Sequence, residues 1–285
     1  EQEADRLGLQ TMERAKRDPA AVANMFATLL RATRYRGSRL PEFLLTHPVT
    51  EKRIADARGR AMTSSMRQYP DNAEFYLMQA RALLAIQRDN SKAIKQFQGQ
   101  LDNNTHRPNA AHYGLVLAHT RANNFTKARA ILAPLLQEDP TQLPYQYADI
   151  NLHIEQREYS QALGKLNKLL AINPNNYPLA RLKSEALWQA HRYEEASDVL
   201  TIVSRSRPED PMVWYQLAEV RGLAGNISGV HEARAEYFIL VGAFDMARKQ
   251  LALAVKLVAA DFKRSAIIRQ RLVEVKAMED RIKKL

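Results

Sequence analysis

Through the middle of the chain, small and apolar positions return at one fixed interval. Pro140, Pro174 and Pro208 keep that interval, as do Ala128, Ala162 and Ala196, and Phe125, Tyr159 and Tyr193 fall three positions before each alanine. Between these columns apolar residues recur at the three- and four-residue steps of one helix face. The pattern predicts repeated helical hairpins. The alanine lets two helices approach closely, the aromatic residue caps the turn, and the proline, unable to extend the second helix, turns the chain into the next unit.

Units of this kind are expected over about 109–140, 141–174 and 175–208, the last with Trp188 on its first helix and Tyr193 at its turn. A looser unit precedes them. Phe75, Met78, Ala82 and Ile86 mark one helix and Ala93, Ile94 and Phe97 the next, while Pro70 and Pro108 stand further apart than the repeat interval. A further unit opens at Glu209 with Trp214, Leu217 and Ala218 and turns at Gly225-Asn226. There the frame slips. Phe244 and Ala247 repeat the aromatic-and-alanine signature only half an interval after Ile227 and Val230, so one helix over about 228–241 is expected to serve two hairpins. Leu251, Val255 and Leu257 continue the stripe, and residues 263–285 form a last amphipathic helix with Ile267, Ile268, Leu272, Val275, Met278 and Ile282.

Position numbers within each column step by 34. A helix–turn–helix unit of that period resembles the tetratricopeptide repeat, most closely in YADINLHIEQREYSQALGKLNKLLAINPNN, residues 147–176. That resemblance implies a stack of hairpins with one continuous core and a concave face for ligands.

Residues 1–56 stand outside this register. Ala4, Leu7, Leu9, Met12 and Ala15 are spaced as in a helix, and Glu1 and Asp5, four apart, share one of its faces. After a helix ending near Arg34 comes a basic cluster, Arg31, Arg34, Arg36 and Arg39 around Gly37 and Pro41. It reads either as a loop contacting acidic substrate or anionic lipid, or as a helix end where arginine suits the negative dipole terminus. Then comes LLTHPVTEKRI, residues 44–54. A connector helix is expected from Thr50, its N-cap candidate, to about Gln68, with Ile54, Ala57, Ala61 and Met62 turned inward.

EQEADRLG and LLTHPVTEKRI together resemble the last two signature segments of the HtpX/Ste-type zinc metallopeptidases, and the attached repeats resemble the periplasmic members from Gram-negative bacteria. In that family an HExxH helix supplies two histidine ligands and a general base, and a later Glu-x-x-x-Asp helix supplies a glutamate ligand. The resemblance places Glu1 at that ligand and Asp5 at the carboxylate that orients a ligand histidine. His47 falls in the His-Pro segment near the cleft, where it can occupy the open position of the metal and restrain proteolysis. An equally simple reading makes His47 a cap for the helix that starts near Val49. Arg53, just beyond, is a possible cleft-loop residue. No HExxH occurs in these 285 residues, so this chain alone is expected to bind zinc weakly or not at all and to be inactive. His112, His119, His153, His191, His106 and His231 read as ordinary packing or surface residues.

Composition narrows this little. The chain is 46% hydrophobic with 10 glycines, which suits an all-α fold, and it has no cysteine, which excludes disulfides and thiolate metal sites. The net charge of +11 favours acidic partners but is spread over many helices. No apolar run approaches the ~20 residues of a membrane span, and no signal peptide is seen. Because the chain opens within a charged helical stretch, an upstream portion is expected. Gly222, Gly225 and Gly229 lack the Lys-Ser/Thr of a phosphate loop, and nucleic acid is not an expected partner.

The expected architecture is therefore all-α: residues 1–56 as the C-terminal helices of a zincin-type metallopeptidase domain, then 57–285 as connector, tetratricopeptide-repeat superhelix and capping helix. The resemblance implies a periplasmic zinc metalloprotease and chaperone, peripheral to the membrane at most. Its partners would be outer-membrane protein clients and their assembly machinery. The competing reading is a non-catalytic adaptor for acidic or apolar peptides.

Overall fold

In the computed structural model, the residues described are 1–36, 47–64, 72–104 and 107–282. Among them are fifteen α-helices and no strand. The chain divides into two compact units, Glu1–Asn72 and Ala73–Leu285.

The first unit contains α1 (Gln2–Arg14), α2 (Ala20–Arg36) and α3 (Glu51–Ser64). Asp18 starts α2, its carboxylate accepting from the Ala20 N–H at 2.9 Å, and Thr50 caps α3 by accepting from the Arg53 N–H at 3.3 Å. Ala23 and Phe26 of α2 pack with Val49, Ile54 and Ala57 to form its core. The connector helix thus belongs structurally to this unit, and the division falls at Asn72/Ala73, after the helix that the sequence boundary at 57 cuts through. Ile54, Ala57 and Ala61 are buried as expected. Met62, one step round the helix from Ala61, is 79% exposed instead of inward.

The second unit is a run of helical hairpins. Its helices are α4 (Ala73–Ile86), α5 (Asn90–Asp102), α6 (Pro108–Arg121), α7 (Phe125–Glu138), α8 (Leu143–Glu155), α9 (Tyr159–Ile172), α10 (Tyr177–Gln189), α11 (Tyr193–Ser206), α12 (Pro211–Leu223), α13 (Ile227–Leu240), α14 (Phe244–Leu257) and α15 (Phe262–Ile282). Ala93, Ala128, Ala162, Ala196 and Ala247 are each fully buried near the start of a second helix. The prolines at 140, 174 and 208 follow two positions after α7, α9 and α11. As the slipped frame predicts, α13 packs against both α12 and α14. Residues 283–285, with Lys283 and Lys284, lie outside the described set, as do His106, Pro70 and Asp71.

Five of the hairpin turns share a feature absent from the residue pattern. Asn123, Arg157, His191, Gly225 and Gly242 all have positive φ, from 59° to 77°. In each turn the next residue's N–H reaches back five positions, as in Arg192 N–H to the Leu187 carbonyl at 2.8 Å. This is the left-handed helix end that glycine favours, filled three times by other residues.

Some of the apolar positions that mark helices in the sequence face outward. In α4 the buried residues are Leu77 and Ala80, one helix step from the Phe75–Met78–Ile86 stripe read from sequence, and Ile86 is 81% exposed. Of the neighbours Ile267 and Ile268 only the second is buried. Ile282 is exposed too, because no further hairpin among the described residues packs on α15.

Candidate functional site

Among the described residues, two gatherings of chemistry-bearing side chains stand out. The first lies where α1, the His47–Thr50 segment and α3 meet. Glu1 stands at the N-cap of α1 and Asp5 one turn on, so both carboxylates face the same way. Val49, buried with the α2–α3 core, anchors the segment that carries His47. Residues 37–46, including Gly37, Arg39, Pro41 and the start of the His-Pro segment, and the side chains of Arg34 and Arg36, lie outside the described set. Of the basic cluster only the Arg31 side chain is described, bonded at 3.4 Å to its own helix's Ala27 carbonyl.

Glu1 and His47, 46 residues apart, are brought together, with Glu1 Oε1 and His47 Nδ1 at 2.5 Å. The ring thus meets the glutamate, and the cap of α3 comes from Thr50. Arg53, in the first turn of α3, ties the group together. Its Nε and Nη2 donate to the two oxygens of Asp5 at 2.7 Å each. Its Nη1 lies 2.9 Å from Glu1 Oε2 and donates to the Pro48 carbonyl at 3.1 Å. The guanidinium also rests 4.6 Å over the Phe26 ring. Such a fork is geometry that lysine cannot supply. The Asp5 carboxylate, assigned by resemblance to orienting a histidine, here holds Arg53.

The Arg53 and Asp5 side chains are only 14% and 12% exposed, whereas Glu1 and His47 are open to solvent. The hydrogen bond with His47, and with it the Arg53 charge, holds the Glu1 carboxyl below the usual carboxylate range. Asp5, ahead of Glu1, raises the Arg53 guanidinium further above its ordinary value.

Carboxylate and imidazole are donor types that zinc takes. Glu1 and His47 are two such donors, and a catalytic site needs three protein ligands. No group of three or more His, Asp or Glu side chains that could hold a metal converges among the described residues. These residues alone therefore do not make a zinc site, and no reaction step is assigned through one. The repeat histidines have other occupations. His153 meets Glu158 at 2.5 Å, His191 the Tyr193 hydroxyl at 2.6 Å, and His231 the Gln250 amide oxygen at 2.7 Å.

The second place is a groove of about 740 Å³ on the first helices of the repeats, lined among others by Arg81, Tyr147, Arg181, Trp188 and Tyr215. Sequence reasoning missed it as a site. Tyr113, Tyr147, Arg181 and Tyr215 do recur at intervals of 34, but core and ligand-facing columns share that period.

Among known proteins, residues 1–61 match Peptidase family M48, and residues 86–142 and 153–220 match tetratricopeptide repeat families. The beta-barrel assembly-enhancing protease of Escherichia coli strain K12 is 30% identical over 285 residues, covering 99% of this chain and 58% of that protein. The Yersinia pestis protein of the same name is 30% identical over 246 residues, 85% of this chain and 50% of its own length. A putative beta-barrel assembly-enhancing protease of Vibrio cholerae is 28% identical over 248 residues, 84% of this chain and 50% of its own. The chain thus spans 50% to 58% of the length of these relatives.

Proposed function

We infer, from a chain homologous along its whole length to the beta-barrel assembly-enhancing proteases, that its parent protein works in the assembly and quality control of outer-membrane proteins. One observation carries this reading. The similarity covers 99% of the chain, so it joins the peptidase-type helices and the repeats in one relationship. A non-catalytic adaptor is the weaker reading, since it gives no reason for the Peptidase family M48 match over residues 1–61.

In the proposed division of labour the repeats hold unfolded clients or the assembly machinery, as hairpin stacks hold extended ligands. The first unit contributes to a peptidase centre in the periplasm. The proposed metal is zinc, with Glu1 and His47 among its donors. When bound, zinc supplies a Lewis acid that activates water for peptide hydrolysis. The roles of this chain's residues follow from their bonds. Arg53, held by Asp5, fastens α1 to α3 and keeps Glu1 beside the loop carrying His47. The exposed His47 ring lies on Glu1 itself. In that position it competes for whatever the carboxylate would bind, which makes His47 the proposed restraint on proteolysis.

The experiment is cleavage of an unfolded outer-membrane protein by the parent protein, with and without zinc. The expected result is zinc-dependent cleavage that rises in His47→Ala. Cleavage that persists after chelation would remove the metal, unchanged activity in His47→Ala would remove the restraint, and no cleavage under either condition would leave the adaptor.

A further inference from the structure

The last two helices carry an apolar face that their own packing does not use. In α14, which packs on α13 and α15, Ala247, Leu251 and Ala254 are buried. Met246, Leu253 and Leu257, spaced seven and four apart, share another face and are 41%, 42% and 55% exposed. The corner that follows is open as well. From 256 to 263 only Val258 turns into the core, and Phe262 is 87% exposed. Yet the corner is well tied. Val258 lies in one cluster with Leu251 and Ile268, and its carbonyl accepts from the Asp261 N–H at 2.9 Å. The Asp261 carboxylate accepts from the Arg264 N–H at 2.9 Å. A phenylalanine held in water gains nothing from folding, and apolar patches rimmed by polar residues mark sites of interaction.

The rim is basic. Lys249 stands between Met246 and Leu253, Lys256 precedes Leu257, and Lys263 follows Phe262. All three are exposed, and none forms an ion pair among the described residues. The two acids within 244–263 are engaged elsewhere, Asp245 with Arg248 and Asp261 at the start of α15.

This composition favours lipid over protein. Protein interfaces are depleted in lysine and anchored by tyrosine, tryptophan and arginine. Residues 244–263 contain no tyrosine or tryptophan, and Arg248, the one arginine there, is paired. A second copy of the chain would bring the same three lysines face to face. At a lipid surface, by contrast, lysine stems lie along the apolar face and their ammonium groups reach the phosphates.

We propose that the α14–α15 corner docks on an anionic lipid surface. Phe262 and Leu257 enter the boundary between headgroups and acyl chains, Met246 and Leu253 lie against it, and Lys249, Lys256 and Lys263 face the phosphates. The contact is peripheral, since no helix among the described residues is long and apolar enough to cross a membrane. It uses no residue of the first unit, so it stands or falls separately from the peptidase reading.

The test uses the whole chain and vesicles of phosphatidylcholine alone or mixed in equal parts with phosphatidylglycerol. Binding is read by co-sedimentation. The chain is expected to bind the mixed vesicles at least about tenfold more tightly, and less so as salt is raised. Each of Lys249→Gln, Lys256→Gln and Lys263→Gln should weaken binding about fivefold. Phe262→Ser should weaken it about tenfold or more. Because the chain has no cysteine, Phe262→Cys can carry a single polarity-sensitive nitrobenzoxadiazole label. Its emission should rise several-fold on the mixed vesicles. The same label at Ile172→Cys, 77% exposed on α9, should not respond.

No binding at about 1 mM phosphatidylglycerol-containing lipid would overturn the proposal. So would equal binding to both kinds of vesicle. Unchanged binding in Phe262→Ser, or an equal rise from both labels, would reduce the contact to adsorption by net charge and overturn it too. Self-association without lipid that Phe262→Ser abolishes would give the corner to a second copy instead.

Discussion

Replacing Arg53 by methionine keeps much of the buried stem and removes the charge that joins α1 to α3. The variant loses two hydrogen bonds to Asp5, one to the Pro48 carbonyl and the ion pair with Glu1. Breaking a buried ion pair by removing one partner costs about 3–5 kcal/mol. The Arg53 and Asp5 side chains keep 14% and 12% exposure, so water recovers part of that, and about 2–3 kcal/mol is expected for this pair. Glu1 is open to solvent, where water screens its pairing with Arg53. Amide hydrogen exchange in α1 and α3 is the suitable assay, because it reports local opening without requiring the two units to unfold together. Protection should fall by about 30- to 150-fold, the same free energy expressed as a ratio. Asp5→Asn should be costly alone and nearly free in the Arg53→Met background, since the charge it removes is then unpaired. Additive costs, or a change below about 0.5 kcal/mol in Arg53→Met, would refute the assignment of Arg53 as the tie. The pH dependence has a definite sign. Glu1 titrates below the usual carboxylate range in the folded chain, so the unfolded chain binds more protons in acid. The contribution of Glu1 is present above pH ~4.5 and is lost as pH falls through its lowered value.

The remaining predictions concern the repeats. Gly114→Ala should destabilise by about 1–3 kcal/mol, because a Cβ there would crowd the Phe97 ring. Gly164→Ala, with nothing within 4 Å, should stabilise by about 1 kcal/mol, and urea denaturation followed by circular dichroism checks both signs. Arg157→Gly relieves a left-handed residue at φ 61° and should gain up to about 1 kcal/mol by the same measurement. A loss of stability there would mean that the arginine side chain outweighs the backbone. Ala196→Leu, at a fully buried hairpin contact, should cost about 1–3 kcal/mol or more and broaden thermal unfolding.

Much of the repeat unit was legible because its constraints are local. Two helices joined by a short turn can approach only at a small residue, so Ala128, Ala162 and Ala196 return at the repeat period with an aromatic residue three positions earlier. The slipped frame at Phe244 was readable for the same reason, and α13 does serve two hairpins. The outward faces were less legible. The Phe75–Met78–Ile86 spacing fits a buried stripe as well as an exposed one, and only packing decided that Leu77 and Ala80 fill the core. The turns show a second limit. Asn123, Arg157 and His191 adopt the conformation of Gly225 and Gly242, and no residue type announces it, because the back-bonded turn sets the sign of φ.

By itself, the sequence determined that this protein is a stack of helical hairpins preceded by peptidase-like helices, since periodicity and short motifs express contacts between near neighbours. The tertiary structure alone decided that Arg53 fastens Asp5 and Glu1, far back in the chain, and that Glu1 faces His47. It also decided that Arg81 and Arg181 line one groove together with Glu155, Glu185 and Glu219. Charges distant in the chain interact only after the backbone has brought them together, and that meeting leaves no period in the sequence.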